Sequence, residues 1–205
     1  MKRIKILAVI AVAIIGALII YNHFDEKRII DVNVNKFAKE YTLLGDDNIY
    51  NSVTIDEVLS TLTNGTGIIF LCTPESIWCQ RYALYLNDEM KENGITEIKY
   101  LNIKDYRELN TAKYQKLVDL LENYVYKDDI GNTKIYMPDL TIVKNGNIIF
   151  HNNDTSLVAS DLEIDDYYTE EKILELKNKF REAIILLNSE EEITEETNDV
   201  IEGVE

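Results

Sequence analysis

The residues best suited to chemistry are the two cysteines of this 205-residue chain, Cys72 and Cys79. They lie in the stretch F-L-C-T-P-E-S-I-W-C-Q, residues 70–80. An apolar run reaches Cys72, Thr73-Pro74-Glu75 breaks it, and a helical period opens at Ser76. Cys79 then sits about one turn into a helix. A thiol there is close to unpaired backbone N–H groups and the positive end of the helix dipole, which favour the nucleophilic thiolate. A small buried hydrophobe under a helix packed on a sheet is the other reading, and both stand for Cys79. Cys72 closes a buried strand and is read first as a core residue. A Cys72–Cys79 disulfide is the alternative; it requires Cα atoms within about 7 Å, and a strand end and a first helical turn are at risk of lying farther apart. Ser76 has a plain reading as an N-cap, worth about 1 kcal/mol over alanine.

Other chemistries find little support. The two histidines, His23 and His151, are far apart and near no cysteine, so no metal-ligand spacing is visible, and no cofactor motif is present. Lys and Arg number 21 against 37 Asp and Glu, a net charge of -16 that would be repelled by nucleic acid. Two cysteines are too few for a disulfide framework. Gly and Pro are scarce and 46% of residues are apolar, which supports a packed core.

The elements that must position the cysteines follow a membrane signal. Lys2, Arg3 and Lys5 precede residues 6–21, a run without charge. Counted from Ile4, with Lys5 snorkelling, a helix here spans about 27 Å against a hydrocarbon core of about 30 Å. Tyr21-Asn-His-Phe-Asp25 lacks the small residues of a signal-peptidase site, so an uncleaved anchor at residues 1–24 is expected. A short N-terminal anchor places the remainder outside the cell, although Lys27, Arg28, Lys36 and Lys39 nearly balance the charges before the span. Residues 25–47 read as a stalk, and 189–205, with eight acidic and no basic residues, as an acidic tail.

Between them, residues 48–188 alternate. β-Formers at 49–53 give a strand; Thr54-Ile-Asp-Glu57 is a capping box opening a helix that stops at Asn64-Gly65. The all-apolar run 67–72 fits a strand buried on both faces. Helices follow at 76–93 and 111–124, separated by a strand at 98–102. A polar loop at 126–136 leads to Met137-Pro138. Asn145-Gly146 between apolar runs signals a hairpin. An acidic loop, 152–168, precedes a last helix capped by Thr169, with Ile173, Leu174, Leu176, Phe180, Ala183 and Ile184 as its inward stripe. The expected class is α/β, ordered β-α-β-α-β-α-β-β-α, a mixed central sheet with helices on both faces.

That order over residues 48–188, the strand that runs into a loop and helix at Ser76-Ile-Trp-Cys79, and Met137-Pro138 just before the hairpin resemble the thioredoxin fold. The resemblance makes Ser76-Ile77-Trp78-Cys79 a degenerate form of the family's C-x-x-C. The anchored layout is similar to Gram-positive thioredoxin-like proteins of the bacteriocin transport accessory type. It implies a cis peptide bond before Pro138. It further implies a substrate groove formed by Trp78, Met137 and Pro138, with the Met137 backbone pairing with an extended segment. In the family the first cysteine attacks and the second resolves. Ser76 holds the first position and forms no mixed disulfide, which puts two-cysteine turnover in doubt. Cys79 keeps the resolving position, and Cys72 is the possible second thiol.

Three functions follow as expectations. The chain is a membrane-anchored extracytoplasmic thiol-disulfide protein acting on exported cysteine-containing or extended peptides through Cys79, alone or with Cys72. Or it is a redox-inactive binding module of the same fold. Or it is an accessory subunit of an export complex.

Overall fold

The computed structural model describes residues 14, 16, 37–45, 47–127, 131, 133–157 and 162–189. The expected anchor lies outside these residues except for Ile14 and Gly16, both helical, and the acidic tail lies outside them except for Ser189. Among the described residues no helix is long and apolar enough to cross a membrane.

The order along the chain begins α1 (Phe37–Glu40), β1 (Tyr50–Ser52), α2 (Ile55–Asn64), β2 (Gly67–Cys72), α3 (Ile77–Glu92) and β3 (Ile98–Asn102). It continues with α4 (Lys104–Glu108), α5 (Ala112–Leu120), β4 (Tyr126–Lys127), β5 (Thr133–Lys134), β6 (Asp139–Lys144) and β7 (Asn147–Asn152). A 3₁₀ turn (Asp154–Leu157), α6 (Ile164–Tyr167) and α7 (Glu170–Asn188) complete it. One five-stranded sheet has the order β1-β3-β2-β6-β7. β3 pairs in parallel with β1 and β2, while β6 pairs antiparallel with β2 and β7. The expected mixed α/β architecture is therefore present.

Alternation along the central strands builds two cores. Ile68, Phe70, Cys72, Leu140 and Ile142 face the side covered by α1, α3 and α7. Ile69, Leu71, Leu101 and Val143 face α2, α4 and α5. This is why residues 67–72 carry no polar position: β2 is buried on both faces. α2 opens on the expected capping box, with the Glu57 N–H donating to Thr54 Oγ1 at 3.3 Å and the Thr54 N–H donating to Glu57 Oε2 at 2.7 Å. The β6–β7 turn holds Asn145 at φ 51° and Gly146 at φ 77°. A Cβ at Gly146 would lie 2.3 Å from the Thr63 carbonyl oxygen, so only glycine fits.

Some expectations change. Residues 37–45, read as stalk, are part of the packed body: Phe37, Tyr41 and Leu44 are buried. Phe37 stacks at 4.1 Å on both Tyr41 and Tyr50 and meets Tyr100 edge-on at 4.7 Å. The segment is too short for a period to show, and its apolar residues are matched only by the sheet face they cover. Leu174, assigned to the inward stripe of the last helix, is 55% exposed. The loops 126–136 and 152–168 contain the small β4–β5 pair, the 3₁₀ turn and α6, elements below the length at which a period is readable.

Truncating Phe37 to alanine should cost about 3–5 kcal/mol in urea unfolding; a change below about 0.5 kcal/mol would mean the segment is detached. The reciprocal bonds of Thr54 hold the Glu57 carboxyl below its usual pKa. A group depressed in the folded state stabilises above its unfolded-state pKa and loses that effect as pH falls through the folded value. The stability difference between wild type and Glu57→Gln should therefore shrink on acidification; a difference constant with pH contradicts it.

Candidate functional site

β2, the middle strand of the sheet, ends and α3 begins at the same end of the sheet. Ser76 sits at the N-cap in extended geometry and its Oγ accepts from the Cys79 N–H at 3.4 Å. The Ser76 N–H closes the preceding turn on the Thr73 carbonyl at 3.2 Å. This turn is tight enough to return the first helical turn over the strand end, and the Cα atoms of Cys72 and Cys79 are 5.9 Å apart. The two cysteines form a disulfide, and among the described residues no free cysteine remains. This corrects the reading of Cys72 as an unpaired core residue and of Cys79 as a lone thiol. The geometric objection fails because Thr73–Glu75 folds back on itself instead of extending. Both cysteines are fully buried.

The surroundings lock this loop. The Thr73 N–H lies 3.4 Å from Cys79 Sγ and donates to it. Gln80, 8% exposed, sends Nε2 to the Pro74 carbonyl at 2.9 Å and to the Glu40 carbonyl at 2.7 Å, joining the loop to α1. The Thr73 hydroxyl donates to Glu75, which holds the Glu75 carboxyl below its usual range, and Lys104 bonds the other carboxylate oxygen at 3.1 Å. That bond in turn raises the Lys104 pKa.

The peptide bond Met137–Pro138 is cis, as expected. Leu71 pairs with Asp139, so Pro138, the residue before it, lies next to the end of β2. Met137 is half-buried and packs against both cores. Trp78 is half-buried too, with its ring 5.3 Å from Tyr167 and 5.9 Å from Tyr168. Ile77, between Ser76 and Trp78, is 51% exposed. The predicted residues are thus gathered at one end of the sheet, beside the close of β2, but in altered roles. Ser76 is a cap, the cysteines are one covalent unit, and Ile77, Trp78 and Met137 supply apolar surface.

Sequence reasoning missed Gln80 and the pair Asp139–His151. Asp139 is fully buried just after Pro138; His151 Nε2 is 2.9 Å from its Oδ2, and the Thr141 hydroxyl donates to its Oδ1 at 3.2 Å. The available signal was a carboxylate at the start of an otherwise apolar strand with a histidine on the partner strand. Register decides whether two such residues meet, and it is set by the bulge between Ile142 and Val143.

No family model, curated protein or solved structure matches this chain.

The pairing can be checked by alkylation with mass readout. Denatured without reductant, the chain should take no label; after reduction it should take label on both Cys72 and Cys79. Label without reduction contradicts the pairing. Closing a loop with a sequence separation of 7 residues contributes about 2–3 kcal/mol, so reduction should lower stability by that amount.

Proposed function

We propose that this chain is a membrane-anchored, extracytoplasmic thioredoxin-like module that binds an extended segment of an exported peptide or protein, with its disulfide serving structure and not turnover. The observation that carries this reading is the state of the two sulfurs: they are bonded to each other and fully buried, while the half-buried Ser76 serves as the helix cap. Exchange requires a thiolate to reach a sulfur, and a sulfur with no exposure is out of reach.

Further features support the thioredoxin-like part of the reading. The sheet order β1-β3-β2-β6-β7, the helix opening directly after β2, and a cis-proline beside the end of β2 fit that fold. A disulfide persists in oxidising compartments, which agrees with an extracytoplasmic placement behind the apolar run at residues 6–21. The exposed Ile77 and half-buried Trp78 and Met137 give apolar contacts for an extended chain, which in the thioredoxin-like reading pairs with the Met137 backbone.

One observation favours the thiol-disulfide reading instead. The Thr73 N–H and the helix start would stabilise a Cys79 thiolate once formed. In that reading an incoming dithiol is oxidised to a disulfide as Cys72–Cys79 is reduced.

Both readings are tested on the full-length chain in nanodiscs with an unfolded, carboxymethylated secretory protein and with a dithiol peptide. Saturable binding of the first is expected, weakened about tenfold by Ile77→Asp, a change of about 1.4 kcal/mol. The Cys72–Cys79 bond should persist in the second case. Rapid oxidation of the dithiol peptide, with loss of that bond, would replace the binding reading by the redox one; no binding and no oxidation would remove both.

A further inference from the structure

A separate cavity of about 240 Å³ opens between the end of β7, α6 and α7. Its floor is neutral and almost sealed: Asn152 and Thr155 are each 4% exposed, Tyr168 and Leu176 each 7%. Asn152 is fully engaged, accepting from the Tyr82 hydroxyl at 2.8 Å and donating to Asp154 at 2.9 Å. The Thr155 and Tyr168 hydroxyls are not. The two contact each other, but neither makes a hydrogen bond of good geometry with any described residue. A buried hydroxyl left without any partner costs about 1–3 kcal/mol, and two that have only a poor contact with each other keep donor and acceptor capacity open to an occupant.

The rim defines what that occupant is. Lys179 Nζ is 2.6 Å from Asp154 and 3.3 Å from Glu175, and Lys172 Nζ is 2.8 Å from Glu175. Two cations and two carboxylates cancel, and every charge already has a partner. An ionic ligand would have to break one of these pairs, and the floor offers no charge in return. An apolar ligand would leave both hydroxyls with only their poor mutual contact. A ligand rich in hydroxyls can donate and accept at each point: to the two floor hydroxyls and to the carboxylates and ammonium groups of the rim. Tyr167 adds an aromatic wall against which the C–H face of a ring packs. The volume is below the usual range for drug-sized ligands, about 300–1,000 Å³, and suits a single ring.

We propose that this cavity binds a small, neutral, polyhydroxylated molecule of single-sugar size, held on its floor by the Thr155 and Tyr168 hydroxyls. Burial raises the Tyr168 pKa, so its hydroxyl stays a neutral donor at physiological pH. The site lies beside the apolar surface described above but is independent of it, since it uses none of Ile77, Met137 or Pro138.

Trp78 is the only tryptophan and its ring touches Tyr167 and Tyr168, so its fluorescence reports on the cavity. The full-length chain is titrated with methyl glucopyranoside and with myo-inositol, and with sodium phosphate and glycine betaine as charged and zwitterionic comparators. The expected result is a saturable change with at least one polyol, in the millimolar range, with a matching rise in melting temperature. Thr155→Val and Tyr168→Phe should each weaken it about tenfold or more while changing the melting temperature of the free protein little, because each removes a buried hydroxyl whose one contact, that between the two, is poor. The proposal is overturned if neither polyol gives a saturable change, if phosphate or betaine alone does, or if Thr155→Val binds like wild type. The last criterion stands even where Tyr168→Phe fails to fold.

Discussion

The disulfide between Cys72 and Cys79 is the constraint on which the site depends. It joins the last residue of a strand buried on both faces to the first turn of α3. The loop between them has few degrees of freedom left, so the Ser76 cap, the Thr73 N–H contact with sulfur and the Gln80 clamp all form within one small volume. The covalent link outweighs the cap, about 2–3 kcal/mol against about 1 kcal/mol. A cap alone fixes where the helix starts; the disulfide fixes where that start lies relative to the sheet.

From that site the packing extends in two directions. Toward β1, Phe37, Tyr41, Tyr50, Tyr100 and Phe70 form a continuous aromatic cluster that covers the sheet with the segment leading out of the expected anchor. Burial raises the pKa of Tyr41, Tyr50 and Tyr100, so these hydroxyls remain neutral throughout the physiological range. Toward the far end, α3 is held to α7 by Glu89, fully buried, whose carboxylate takes Arg181 in two bonds of 2.6 and 3.0 Å. Such a pair gives little net stability, but removing one partner leaves a buried charge, so it enforces one helix arrangement. The proposed binding surface thus sits on a body fixed at both ends.

The proposed functions follow from what these constraints leave accessible. Sealing the sulfurs removes thiol chemistry from the surface and leaves apolar side chains and backbone. A net charge of -16 repels anions from such a surface. The aromatic contacts of Trp78 with Tyr167 and Tyr168 connect that surface to the polar cavity, where neutrality rather than charge sets the ligand class.

The sequence by itself determined the order of the longer strands and helices between residues 48 and 188, the buried central strand, the capping box at Thr54 and Glu57, the Asn145-Gly146 turn and the cis bond before Pro138. These are encoded locally, in runs, caps and turn residues, or in a resemblance carried by them. Tertiary structure alone decided the Cys72–Cys79 pairing, because a separation of seven residues permits it or forbids it according to how the intervening loop bends. It also decided the docking of residues 37–45, the meeting of Asp139 with His151, and the placing of the buried Thr155 and Tyr168 hydroxyls on one cavity floor. Each depends on residues distant in sequence becoming neighbours, and neither period nor spacing carries that information.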